Sequence, residues 1–215
     1  VRRLVVGLAA VLGLAACGSP PAPPPLDASS APRAVYPGNV VRVRSALPVG
    51  YEVAELRGPF SAVSLWGFGT GWTADPPQCT RLADPAPADR GARGLSASGP
   101  GGIVYVAVIA AVTPEPELLD QCPSWAMRFV HTGAQVRRTD APAVDGADTV
   151  AWQARTSTVV ESGAETNSDV VTAVAYLDHH AAFVTVVTDP GSPHPPLGPD
   201  FVAELLATTV TALRD

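Results

Sequence analysis

The sequence predicts an α+β domain, an antiparallel sheet with helices packed mainly on one face and braced by one disulfide. Three observations predict it. Residues 134–188 hold four apolar runs, alternating or β-branched, separated by turn residues, and these read as consecutive strands. The chain then closes on a segment with Phe201, Leu205, Ala212 and Leu213 at helical spacing. Cys79 and Cys122 form an even pair once Cys17 is set apart. Strands in series followed by a helix suit an antiparallel sheet better than alternating βαβ units.

In chain order, Arg2 and Arg3 precede a run from Leu4 to Leu14 built only of Ala, Val, Leu and Gly. A positive start and a short apolar run describe a signal peptide over residues 1–16. The run is about 11 residues, short of the roughly 20 that a membrane-crossing helix needs. It ends in Leu14-Ala15-Ala16-Cys17-Gly18, small residues before a cysteine, as in a bacterial lipobox. Cys17 is therefore expected to be lipidated and to become the first residue of the mature chain. Two acyl chains give durable membrane attachment where one is marginal.

Residues 17–37 continue as a Pro-, Ala- and Ser-rich stretch that cannot bury enough surface to fold. Fully extended at roughly 3.1 Å per residue, such a tether spans about 50 Å. Residues 38–215 are expected to form a single domain. Within it, Val40, Val43, Ala46 and Leu47 predict a short helix over 39–47, stopped by Pro48 and Gly50. Residues 51–56 alternate and predict a strand.

Leu65-Trp66-Gly67-Phe68-Gly69-Thr70-Gly71-Trp72 places glycines between large aromatics. Either the aromatics fold back onto the core and the glycines serve turns, or the segment is a ligand-facing loop. Pro76-Pro77 is expected to open a helical turn carrying Cys79. Residues 94–98 and 103–112 predict a pair of strands turned by Gly99-Pro100-Gly101-Gly102, the second central and buried. From Pro114 onward, Leu118, Leu119, Cys122, Trp125, Ala126 and Phe129 predict one helix with an apolar face, continuing through Pro123 and turning Cys122 towards Cys79. Strands are expected over 134–138, 149–160, 168–177 and 181–188, and a last helix over 200–213, capped by Asp200.

In an exported, oxidising setting, Cys79 and Cys122 are expected to form a disulfide. Closing a loop of about 40 residues contributes roughly 3 to 4 kcal/mol in the chain-entropy account. Acidic residues outnumber basic ones, 20 to 14, and Arg137-Arg138 is the longest basic run of the domain, which gives a nucleic-acid partner little support.

The search for chemistry excludes the common catalytic classes. The chain has no lysine, so Gly99 to Gly102 cannot open a P-loop. Neither a Gly-x-Ser-x-Gly elbow nor a His-Glu-x-x-His metal motif occurs. Asp178-His179-His180 is the most suggestive triplet, but neighbours in an extended segment point to opposite faces, and a polar hairpin tip accounts for it better. His131 stands alone. His194 lies in the proline-rich stretch between Asp189 and Asp200, either a rigid connector or a recognition loop. No catalytic residues, metal or cofactor are expected.

The lipobox, the proline-rich tether, Tyr36-Pro37-Gly38, Trp66-Gly67-Phe68-Gly69, Pro76-Pro77-Gln78-Cys79, Leu119-Asp120-Gln121-Cys122 and the stretch from Thr185 to Asp200 together resemble an uncharacterised family of mycobacterial and other actinobacterial lipoproteins. More distantly, the Pro-Pro-x-Cys segment, a later helix with the partner cysteine and a final sheet plus helix resemble the extracellular sensor domain of PknH-type kinases. That resemblance implies a disulfide-braced α+β domain with a cleft for an unknown ligand. The kinase sensors carry two disulfides, whereas this domain has cysteines for one.

The function expected is a non-catalytic, sensor-like module on the outer face of the cell membrane that binds an envelope ligand or partner, with Trp66, Phe68, Trp72 and His194 as ligand-binding candidates. A protein-interaction scaffold is the first alternative. The second is an envelope lipid or glycan hydrolase, which would need Asp178, His179 and His180 to stand beside Ser168 or Asp169.

Overall fold

The computed structural model describes residues 33–86, 91–188 and 191–215. The signal peptide, Cys17 and most of the tether lie outside the described residues. Among the described residues nine strands form one antiparallel sheet: β1 (Glu52–Arg57), β2 (Thr73–Asp75), β3 (Arg93–Gly99), β4 (Gly102–Ala110), β5 (Ser124–Phe129), β6 (Thr132–Thr139), β7 (Asp148–Val159), β8 (Glu165–Leu177) and β9 (His180–Thr188). Their spatial order is β1-β3-β4-β9-β8-β7-β6-β5-β2. Hairpins account for most of this order, since β3–β4, β5 to β8 and β8–β9 pair as sequence neighbours. β9 then returns beside β4, with Ile103 opposite Val187 and Val108 opposite Ala182.

The central strands are apolar on both faces, as the β-branched run at 103–112 predicts. On one face Val104, Val106 and Val108 of β4 and Ala182, Val184 and Val186 of β9 meet the long helix α3 (Pro199–Arg214) through Val202, Leu205, Leu206, Val210 and Leu213. Pro199 and Asp200 occupy the first turn of α3, so Gly198 and not Asp200 is the capping position. Asp200 instead places its charge at the positive end of the helix.

The predicted helix at 39–47 is a 3₁₀ helix, Pro37–Ala46, packed on the same face. Three residues per turn bring Val40 and Val43 onto one line, and both are buried. The chain is also tied to α3 by the Tyr36 N–H, which donates to the Leu213 carbonyl at 2.8 Å.

The opposite face is covered by short pieces: 3₁₀ turns Val63–Trp66 and Pro77–Cys79, helices α1 (Thr80–Ala83) and α2 (Pro116–Gln121), and the segments joining them. Cys79 and Cys122 form a disulfide that joins two of these pieces across a separation of 43 residues.

The single helix expected to run through Phe129 is corrected. α2 ends at Gln121, Cys122 leaves the helical region, and Ser124–Phe129 is strand β5. Pro123 disfavours helical geometry in the residue before it and contributes no N–H to a helix. Beyond it Trp125 and Met127 alternate inward, a period of two that the broader apolar composition conceals.

Leu206 is fully buried between α3 and the sheet. Leu206→Ala is expected to cost roughly 2 to 5 kcal/mol through lost burial and the cavity left behind. Urea unfolding of the two proteins side by side measures it, and a loss under 1 kcal/mol would contradict this packing.

Candidate functional site

The pieced cover leaves a cavity of about 490 Å³ at the end of the sheet where β4 and β8 finish. Three segments of the cover wall it: Thr70 to Trp72, Thr80 to Pro85, and Val112 to Pro114 with Leu118. The sheet contributes Tyr176, near the end of β8. The disulfide sits between the second and third of these segments, joining the turn that leads into α1 to the end of α2.

The aromatic segment divides between its two sequence readings. Trp66 and Phe68 fold back into the core, with 6% and 2% of their surface exposed. Gly67 and Gly71 hold positive φ values of 92° and 93°, and these turns carry the chain away from and back to the core between the rings. Trp72 remains half-buried as a wall of the cavity, and it packs edge-on against Phe68 with centroids 6.5 Å apart. Of the four ligand-binding candidates, Trp72 alone lines the cavity.

His194 is exposed in the loop before α3, which is pinned to the β3–β4 turn: the Gly101 N–H donates to the Ser192 hydroxyl at 3.1 Å. That turn begins β4 and the cavity lies past its end. Nine residues of strand at about 3.3 Å each put roughly 30 Å between them.

The hydrolase cluster is likewise not brought together. Ser168 and Asp169 lie near the start of β8, where Asp169 pairs with Arg155 at 3.0 Å, and Asp178 follows its far end. Asp178 and His179 form an exposed tip with Asp178 at φ 55° and the side chains 3.8 Å apart. Among the described residues no group of three or more His, Cys, Asp or Glu could hold a metal ion.

Sequence reasoning missed Asp84 and Tyr176. The Tyr176 hydroxyl is buried and has no hydrogen-bond partner among the described residues, and one carboxylate oxygen of Asp84, Oδ1, is in the same condition. Burial pushes the Tyr176 phenol up to about 12. It also holds the Asp84 carboxyl above its ordinary value, against the lowering effect of bonds from the Ala86 backbone and the Ser61 side chain. Three indole N–H groups, of Trp66, Trp125 and Trp152, are also buried on this side of the sheet without partners among the described residues. Tyr176 carries no sequence signal, since its polar end is hidden inside an apolar strand. Asp84 looks like any loop acid.

Against known proteins, residues 36–214 match the model of a family described as a domain of unknown function, DUF5642. The chain belongs to this family. Its fold is similar to the X-ray structure of an uncharacterized protein from Mycobacterium smegmatis, the Rv0999 ortholog, with a TM-score of 0.62 and 19% identity over 84% of this chain and 98% of that one. No curated protein matches. The mycobacterial likeness expected from the motifs thus extends to the fold of the DUF5642 domain.

The orphaned phenol yields a stability prediction. Removing an unpaired buried hydroxyl relieves its desolvation cost, so Tyr176→Phe is expected to raise stability by roughly 1 kcal/mol at pH 7. In the native chain the unfolded state loses the phenolic proton first, near pH 10, so stability falls between about pH 10 and 12. Urea midpoints at pH 7 and pH 11 should show a shallower alkaline loss in Tyr176→Phe, and an equal loss would contradict the buried phenol.

Proposed function

We propose that this DUF5642 protein is a lipoprotein anchored through Cys17 to the outer face of the cell membrane, and that its domain binds an envelope ligand in the cavity without transforming it. The carrying observation is the wall composition. Trp72, Pro85, Val112, Pro114 and Leu118 supply apolar surface, and Thr70, Thr113 and Arg81 add a few polar groups. Small-molecule sites commonly combine an apolar lining with a few placed polar groups in a volume of roughly 300 to 1,000 Å³.

Location supports the same reading. A disulfide persists in an oxidising compartment, in agreement with the signal peptide and lipobox. The resemblance to the kinase sensor domain adds a disulfide-braced sheet with a cleft as a precedent of form. The chain enters the domain at the cavity's end of the sheet: Arg33 bonds Asp145 at 3.1 Å, and Asp148 is paired with Tyr176.

Native mass spectrometry of the full chain, extracted from its own envelope, tests the binding. An added mass lost on denaturation and on Trp72→Ala, but retained in Val130→Ala, is the expected result. A mass indifferent to Trp72→Ala, or a bare chain, would refute the cavity as the binding site. Anchoring has its own test. Labelled palmitate should enter the wild-type protein and be absent from Cys17→Ala, which should also leave the membrane fraction, and labelling that survives the substitution would remove Cys17 as the anchor.

A further inference from the structure

We infer that the cavity takes the aliphatic tail of a membrane lipid, with the chain in its apolar depth and the polar head left at the rim. The inference rests on the binding role proposed above and names the chemistry of the ligand. It follows from which parts of the wall are open to a ligand and which are closed.

The wall is graded in polarity. Thr70, Arg81 and Thr113 are exposed and stand at the rim. Set further in, Trp72, Pro85 and Pro114 are half-buried and Leu118 is buried, so the depth presents an indole, two prolines and a leucine. The edge-on contact with Phe68 fixes the indole, which makes this apolar wall a preformed one. The polar groups that lie as deep are closed. The Tyr176 hydroxyl and Asp84 Oδ1 each expose less than 1 Å², bonds from the Ala86 backbone and the Ser61 side chain engage the Asp84 carboxylate, and Thr80 Oγ1 donates to the Pro77 carbonyl.

A polar ligand entering this depth would give up its own hydration and reach none of those groups. An aliphatic chain has no such hydration to lose, and it adds no cost at Tyr176 or Asp84, whose closed atoms are already out of water. A chain can also keep its head outside. There the rim offers two hydroxyls and the Arg81 guanidinium, which is 62% exposed and 3.9 Å from Glu115. The proposed anchor holds the domain beside a bilayer, the source of such chains. The tail belongs to a separate lipid and not to Cys17, because attachment through one remaining acyl chain would be marginal.

The test uses the full chain in phosphatidylcholine nanodiscs, where no detergent competes for the cavity, and stearate carrying a photoreactive diazirine at mid-chain. Peptide mass spectrometry after illumination locates the adducts. The expected result is labelling at Trp72, Pro85 or Leu118 that excess stearate suppresses and that methyl glucoside and adamantanemethanol, a rigid apolar ring, do not. Leu118→Gln, which sets an amide in the depth, should reduce it about tenfold. Val112→Gln changes an exposed position at the mouth and should reduce it severalfold, so the proposal does not depend on the Leu118 variant folding. Adducts confined to exposed surface such as Val130, or no adducts, overturn the lipid tail. Suppression by the ring or the sugar as strong as by stearate overturns it too, while leaving the cavity as a binding site. Labelling that appears only in Cys17→Ala would give the cavity to the protein's own acyl chain and overturn the separate lipid. The native mass spectrum judges the binding role independently, so the two failures are told apart.

Discussion

Two-sided burial of β4, β9 and β8 is the constraint on which the rest of the domain depends. Strands apolar on both faces need a cover on each, and a nine-stranded sheet is too broad for one helix to seal. On one side α3 and the opening 3₁₀ helix meet the demand with regular backbone, whose polar groups are paired internally. Beyond their reach that face turns polar, with Gln135, Arg155 and Asp169 in register across β6, β7 and β8. On the other side short segments have to fit a wide surface of Trp125, Trp152, Phe183 and Tyr176.

The two covers differ in how completely they satisfy what they bury. Among the described residues the patchwork side holds five unpartnered buried atoms, of Trp66, Trp125, Trp152, Tyr176 and Asp84, whereas on α3 the Arg214 Nε is in that condition and the buried Thr209 hydroxyl bonds the Leu205 carbonyl. Unsatisfied buried groups cluster where structure is held for a purpose other than stability, and each one needs a physical account.

Periodicity made most of the sheet legible. The strands at 134–188 and the hairpin at 94–112 declare themselves through alternation and glycine turns, and α3 through its stripe. Failures occurred where two periods overlap or an element is too short to show one. Leu118 to Phe129 reads as a helix because its apolar residues are dense enough to satisfy a period of 3.6, and only Pro123 marks the change to two. β2, three residues long, has no period to read. For the cavity, the aromatic run drew attention to Trp72 but not to the difference between Trp72 and its buried neighbours Trp66 and Phe68. That difference arises from how the chain turns at Gly67 and Gly71. Asp84 and Tyr176, some ninety residues apart in sequence, come to line one cavity only through the cover's docking on the sheet.

The disulfide explains how such a cover persists. Segments as short as α1 and α2, four and six residues, are below the length at which a helix holds itself, so contacts made elsewhere must position them. Cross-linking residues 43 apart removes roughly 4 kcal/mol of loop entropy from the unfolded chain, and this acts without filling space between the pieces. A cover held by packing alone would be driven to close on its own voids, since each void forfeits contacts. A cover held partly by a covalent tie can leave a gap between Trp72, Asp84 and Leu118 and still keep its walls in place. The single bond between Cys79 and Cys122 thereby reconciles a sheet that requires covering with a cavity that requires an opening.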